Sequence, residues 1–410
     1  MLAGRGCSKL RQGGKLLNRK ALLTLGAVLV LVLILAAGCG GGGEETSEEA
    51  EAYKIGAIFD ISGPASSLGV PERNTALLIE EQINAAGGID GHPVEIIIED
   101  NESNETKAVQ AAKKLIEVDQ VLAIVGPSTT GTSMAIIDTV QKSEVPMVSA
   151  AAGVGIAYPP GERHWVFKTA QNDSLVIGKV VDYLVAQGLT RVAFLNMNNA
   201  FGDSGRAEFE KASAPAGIEV VAWEKFGATD KDMTAQLTRI KAADPDAVVV
   251  WAIPPSASIV TKNYRQLGID APLIHSHGVG NRAFIELAGD ASEGVIFPVG
   301  KLLVAEQLTD DDPQKEVLVK YAQDYEAKFE EPRSTFGGHG WDAVSVVLEA
   351  LKTSGPDRAK LRDAIEGTEN FAGISGVFNF SPDDHAGLDK SSLVIVKIVN
   401  GEWTILEGGN

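Results

Sequence analysis

Val121-Leu122-Ala123-Ile124-Val125-Gly126-Pro127-Ser128-Thr129-Thr130-Gly131 is the stretch on which the fold turns. Its first five residues are apolar and read as a buried strand, and residues 131–143 have the spacing of a helix. Between them lies a turn of glycine, proline and hydroxyl residues. A strand that feeds a helix in this way pairs with its like neighbours in parallel, because the helix carries the chain back to the same starting edge. The unit recurs upstream. Residues 54–59 read as a strand, and apolar Ala76, Ile79, Ile83 and Ala86 recur at helical spacing until Gly87-Gly88 stops them. Residues 94–99 then read as a strand and 105–118 as a helix.

The alternation continues downstream. Strands are expected at 146–149, 191–197, 219–223, 248–251 and 273–275, with helices at 174–186, 204–214, 233–243 and 256–267. Strand–helix alternation means parallel sheets with helices on both faces. After two further helices, at 314–329 and 340–351, the chain becomes β-rich at 377–380, 393–399 and 403–406. A length of 410 residues with this ordering suggests two domains that share an interleaved chain.

The amino terminus fixes the compartment. Arg5, Lys9, Arg11, Lys15, Arg19 and Lys20 precede an apolar run, residues 21–37, that ends at Ala36-Ala37-Gly38-Cys39. A basic segment, an apolar segment and small residues before a cut make an export signal. The cysteine resembles the lipidated residue of a bacterial lipoprotein signal, although that signal usually has leucine three places before the cysteine and Ala36 stands there. Residues 1–38 are then the signal peptide and Cys39 the lipid-bearing first residue, which ties the chain to the membrane. The competing reading is a retained helix, for which the run is slightly short of a ~30 Å hydrocarbon core. In either case the remainder faces outward. Residues 39–52, rich in glycine and glutamate, cannot bury a core and read as a flexible tether.

Composition narrows the function. The two cysteines are Cys7, within the leader, and Cys39, so the folded part holds no thiol and no disulfide. Removing six basic residues takes the formal charge from −19 to −25, which argues against nucleic acid and anionic lipid as partners. No G-x-S-x-G, H-E-x-x-H, phosphate-binding P-loop or C-x-x-C pattern occurs, and the chain reads as a non-enzyme with no cofactor. Gly202-Asp203-Ser204-Gly205 follows a strand and opens a helix, where Asp and Ser read as N-caps. His275-Ser276-His277 would put two imidazoles on one strand face, but two ligands with no third are weak evidence, and no metal is expected. The segment from Ser128 to Gly131 is different. Free N–H groups, the helix dipole and adjacent hydroxyls favour an anion there, and ligands of open α/β sheets bind beyond the carboxyl ends of strands.

Several motifs together resemble the type I periplasmic binding proteins of the leucine/isoleucine/valine class, which deliver solutes to ABC importers. They are Ile61-Ser62-Gly63-Pro64, Asn84-Ala85-Ala86-Gly87-Gly88-Ile89, Gly126 to Gly131, Val145-Pro146-Met147-Val148-Ser149, Ala200-Phe201-Gly202 and Gly278-Val279-Gly280-Asn281. The resemblance spans residues 53–410. It implies two Rossmann-like lobes with parallel sheets joined by a three-strand hinge, with residues 53–169 and 300–375 in the first lobe and 170–299 and 376–410 in the second. A small molecule would bind in the cleft between them, and hinge closure would trap it.

The resemblance also implies site residues. Thr129 and Thr130, beside Ser128, stand where a hydroxyl residue holds the ligand carboxylate, and Ala151 where a backbone group contributes. Phe201 matches an aromatic wall from the second lobe, Phe336 another aromatic wall and Leu68 an apolar one. Two positions depart. Amino-acid binders carry threonine near Gly153 and glutamate at the position of His277, and both hold the ligand's ammonium. The anion half of the site is therefore matched and the cation half is not. Asp60 is one place from which a carboxylate could restore it, and His277 with His339 could instead hydrogen-bond a phenol, an amide or a second carboxylate. Two ligands follow as expectations: a branched-chain or related amino acid, or a carboxylate without ammonium such as an aromatic or dicarboxylic acid. The implied partners are an ABC permease and ATPase, with the binding protein itself a monomer. A ligand sensor for a membrane receptor is the further alternative.

Overall fold

A computed structural model describes residues 50–406. The leader, Cys39 and most of the tether lie outside the described residues.

The chain opens with β1 (Tyr53–Phe59), α1 (Ser66–Ala85), β2 (Val94–Asp100), α2 (Glu105–Glu117), β3 (Ala123–Val125), α3 (Thr130–Lys142), β4 (Met147–Ser149) and β5 (Val166–Lys168). These strands form one five-stranded parallel sheet in the order β2-β1-β3-β4-β5. Alternate residues of β1 face opposite sides, as strand geometry requires. Ile55, Ala57 and Phe59 enter the core on one face, while Ile58 packs with Leu115 and Ile136 on the other.

A second series follows: α4 (Asp173–Ala186), β6 (Arg191–Met197), α5 (Ala200–Ser213), β7 (Glu219–Phe226), α6 (Thr234–Ala242), β8 (Ala247–Trp251), α7 (Ser256–Gln266), β9 (Leu273–His275), α8 (Arg282–Ala288) and β10 (Ile296–Gly300). The chain then runs through α9 (Lys315–Phe329), α10 (Thr335–Ser354), α11 (Arg358–Glu366), the short pair β11 (Phe371–Ala372) and β12 (Val377–Phe378), and finally β13 (Leu393–Val399) and β14 (Glu402–Ile405). The second sheet has seven strands in the order β14-β13-β10-β9-β8-β6-β7. Its β13 and β14 are antiparallel additions, so the parallel pattern holds for the strands that alternate with helices.

The interleaving seen in the sequence has a plain cause. Helices α10 and α11 have one apolar face, and Val344, Val347, Leu351, Leu361 and Ile365 bury it against the five-stranded sheet. The chain therefore leaves that sheet after β5, returns after β10, and re-enters the seven-stranded sheet at β13. Phe378, Phe380 and Leu388 still pack in the core of the five-stranded sheet.

Gly126 closes the turn between β3 and α3. Its φ of +83° is a left-handed conformation, and a Cβ there would lie 2.1 Å from the carbonyl oxygen of Ile58. Only glycine lets this turn lie directly on β1.

Two sequence expectations change. The helix expected at 204–214 starts at Ala200, because extended Asn199 is its N-cap and accepts a hydrogen bond from Gly202 N at 2.9 Å. Asp203 and Ser204 lie inside the helix, where Asp203 pairs with Lys225 at 2.5 Å. His275 and His277 do not share a strand face either. Strand β9 ends at His275 and a 3-10 turn begins at His277, so the period-two rule stops between them. The His275 ring lies 3.0 Å from Thr261 Oγ1 and packs on Phe284, away from His277.

Candidate functional site

A cavity of about 250 Å³ is walled by the carboxyl-end loops of both sheets. Asp60 follows β1, Ser128 follows β3, Ala150 follows β4 and Ala170 follows β5. From the other sheet come Asn199 after β6, Ala228 after β7, Ile253 after β8 and His277 after β9. Eight strand ends thus converge on one space, as the open-sheet rule leads one to expect.

Of the nine residues expected at the site, Leu68, Ser128, Thr129, Thr130, Ala151, Phe201, His277 and Phe336 line the cavity. Gly153 does not line it; it sits behind Thr130. Its N–H donates to Thr130 Oγ1 at 3.2 Å, and a Cβ on Gly153 would lie 2.3 Å from Thr130 Cγ2. The missing threonine at this position is thus matched by a threonine that fills its space.

The hydroxyls divide into two kinds. Ser128 is spent on structure: it accepts from Asp60 N at 2.9 Å and donates to Glu72 Oε2. Thr129 caps α3, accepting from Thr132 N, with its hydroxyl 2.7 Å from Thr132 Oγ1. Thr130 accepts from Gly153 and keeps its own hydroxyl proton. The amides of Thr130 and Gly131 are the first two of α3 and precede any intrahelical acceptor. That end of the cavity is built to donate hydrogen bonds, and the helix dipole adds to its preference for an anion.

Much of the remaining lining is aromatic and apolar. Phe201 lies 5.8 Å from the His277 ring and 5.8 Å from Trp251, which buries itself behind both. Phe336 and His339 meet edge to face at 6.1 Å, with His339 Nδ1 2.7 Å from Ser375 Oγ. Met197, Ile253 and Leu68 complete the apolar lining.

Burial decides the charges here. It pushes the His277 ring down to about 3, with the nearby Lys168 charge acting the same way, so His277 is neutral. His339 is likewise held at about 3 by burial, then by His277 and Lys168. Lys168 is buried at the end of β5 and donates to Ala170 O at 2.5 Å and Asn172 Oδ1 at 2.9 Å. Burial lowers this lysine and raises Asp173 across the first crossing, each opposed by the other's charge. Burial also holds Asp60 above the usual carboxylate range and Glu72 well above it. Among the described residues, no group of three or more histidines, cysteines or acids is placed to hold a metal ion.

Sequence reasoning missed Thr132, Met197 and Ile253. Met197 and Ile253 follow from the strand-end rule applied to β6 and β8. Thr132 carries no local signal beyond lying in the first turn of α3.

Two α/β lobes with a mixed polar and apolar cavity at the carboxyl ends of both sheets define a solute-binding protein. The profile of the periplasmic binding protein family matches residues 52–402, and the chain belongs to that family. It is similar to the leucine-, isoleucine-, valine-, threonine- and alanine-binding protein of Pseudomonas aeruginosa, with 27% identity over 78% of this chain and 83% of that protein. Among solved structures, an extracellular ligand-binding receptor from Rhodopseudomonas palustris HaA2 superimposes with a TM-score of 0.82 at 29% identity, covering 87% of this chain and all of that one. The branched-chain amino acid transporter substrate binding protein LivJ of Streptococcus pneumoniae, solved with isoleucine, gives a TM-score of 0.77 at 26% identity, covering 87% of this chain and 99% of that one. These relatives are solute binders, which is consistent with a non-enzymatic role. Among the described residues, no helix is long and apolar enough to cross a membrane.

Proposed function

We propose that this chain is the extracytoplasmic binding component of an ABC importer and captures a branched-chain or related amino acid between its lobes. The observation that carries the reading is the make-up of the cavity lining: the Thr129 and Thr130 hydroxyls at the start of α3 stand in it together with the apolar side chains of Leu68, Met197, Phe201, Ile253 and Phe336. A carboxylate suits the first and an aliphatic side chain the second. The names of the relatives point the same way. On this reading Thr129 and Thr130 hold the carboxylate, Ala151 contributes backbone, and Phe201, Phe336 and Leu68 enclose the side chain. Ser128 supports the site from behind and Gly153 makes room for Thr130.

The wider assignment follows the same proposal. Cys39 bears a lipid that holds the protein at the outer face of the cell membrane, residues 39–52 are its tether, and the mature chain acts as a monomer that presents ligand to a permease and its ATPase. The first lobe comprises residues 53–169 and 300–388. The sequence bounds end this lobe at residue 375; we extend the proposal to Leu388 because Phe378 and Phe380 pack in the core of the five-stranded sheet. Residues 170–299 and 393–406 form the second lobe on this reading.

The double variant Thr129→Ala plus Thr130→Ala tests the site. Calorimetry with L-leucine is expected to lose its binding heat while circular dichroism retains the α/β signature. Leucine affinity equal to the parent's would refute the carboxylate site. The alternative ligand, a carboxylate without ammonium, is separated by titrating benzoate and 4-methylpentanoate beside leucine.

A further inference from the structure

The carboxylate half of the proposed site has an obvious holder, but an amino acid also brings an ammonium. Position 277, where the resemblance implies a glutamate, carries a neutral histidine. A buried ammonium with no anionic partner is strongly disfavoured. The cavity must supply that partner elsewhere or exclude the ammonium.

Asp60 has the required features. It follows β1, lines the cavity and is fully buried. Its Oδ2 accepts from Asn101 Nδ2 at 3.2 Å and from Thr132 Oγ1 at 3.3 Å. Its Oδ1 is buried and has no hydrogen-bond partner among the described residues. Burial disfavours the charged form and outweighs the opposing hydrogen bonds from Asn101 and Thr132, which is why this carboxyl stands above its ordinary range. A docking cation would remove that penalty.

Asp60 lies close to the residues proposed to hold the carboxylate. The Thr132 hydroxyl neighbours both Asp60 Oδ2, at 3.3 Å, and Thr129 Oγ1, at 2.7 Å. Asp60 and Thr129, the hydroxyl proposed to hold the carboxylate, are therefore bridged by one side chain. In an α-amino acid the ammonium and the carboxylate are joined through a single carbon, so one ligand can meet both. A plain carboxylic acid placed against Thr129 would instead bring its negative charge beside Asp60. Among the described residues, the one other acid lining this cavity, Glu105, is exposed in the first turn of α2 near Gly131, and an exposed carboxylate gains little from pairing.

We propose that Asp60 is the ammonium-binding residue of this site and the group that selects α-amino acids over simple carboxylic acids. Its support is distinct from that of the carboxylate end. The Asp60 amide donates to Ser128 Oγ, and the Ser128 hydroxyl donates to Glu72. This chain ties the loop after β1 to α1 and holds the carboxyl in place.

The inference rests on the amino-acid reading given above, and one experiment separates the two. Calorimetry on the full chain compares L-leucine with 4-methylpentanoate, its analogue without the amino group, for the parent, Asp60→Asn and Glu105→Gln. The parent is expected to prefer leucine by roughly a hundredfold or more. Asp60→Asn should lose about that factor on leucine, and the gap between the two ligands should close. Glu105→Gln should change leucine affinity by no more than about fivefold. Leucine binding by Asp60→Asn at parental strength overturns the role of Asp60 and leaves the amino-acid reading intact, as does a loss confined to Glu105→Gln. Binding of 4-methylpentanoate with no response to any amino acid overturns both. Should Asp60→Asn fail to fold, the parent decides alone: equal affinity for the two ligands overturns the proposal.

Discussion

Gly153 shows how one residue can set the chemistry of its neighbour. It contributes no side chain, yet its amide fixes the Thr130 hydroxyl and its bare Cα gives that threonine room. Gly153→Ala would place a methyl group 2.3 Å from Thr130 Cγ2. One of the two must move. The expected outcome is a loss of roughly 1–3 kcal/mol of stability from overpacking, together with weaker leucine binding as Thr130 turns from the cavity. Denaturant unfolding and calorimetry on the same variant check both. Parental values in each would show that the loop after β4 takes up the methyl group without displacing Thr130. The sequence could expose the glycine as a departure from the resembled pattern. It could not expose the cause, because Thr130 and Gly153 meet only through the packing of α3 against the loop after β4.

At the scale of elements, the segments that alternate cleanly were legible and the marginal ones were not. Strands β1, β6 and β8 announce themselves by long apolar runs, and α2 and α3 by their periodicity. Strand β5 has three residues, one of them a buried lysine, and offers no run to read. Helix α11 is short and charged, and its burial depends on Leu361 and Ile365 reaching a sheet more than two hundred residues earlier in the chain. The start of α5 was misjudged because two good capping residues, Asp203 and Ser204, follow a better-placed one. The extended backbone of Asn199, with φ −156° and ψ 175°, suits an N-cap. Its side chain holds the amide of Gly202, and Phe201, the aromatic wall of the cavity, lies within the capped turn. Asn199→Ala is expected to cost about 1 kcal/mol of stability. Because Phe201 is carried by that turn, leucine affinity should fall modestly as well. A thermal melt with and without leucine separates the two effects, since the ligand-induced rise in melting temperature grows with the logarithm of ligand concentration over Kd. An unchanged melt without ligand would remove Asn199 as the cap.

At the scale of the molecule, the chain order β1–β5, β6–β10, α9–α11 and β13–β14 makes two sheets from one interleaved chain. That ordering was visible in the sequence as a strand–helix series that gives way to helices and then to strands. The convergence of eight strand ends on one cavity was implied by the same series, since parallel sheets collect their carboxyl ends on one side. The pairing of groups within the cavity was not. The surroundings of Asp60 and the spent hydroxyl of Ser128 arise from contacts within the first lobe, and the ring cluster of Phe201, His277 and Trp251 from contacts within the second; both join residues far apart in the chain and leave no periodic trace. The amino-acid assignment stands or falls on a calorimetric titration of the full chain with L-leucine, L-isoleucine and L-valine. Saturable binding of at least one of them, with one ligand per chain, is the expected result; no heat from any of the three, with saturable binding of benzoate or 4-methylpentanoate, would contradict it.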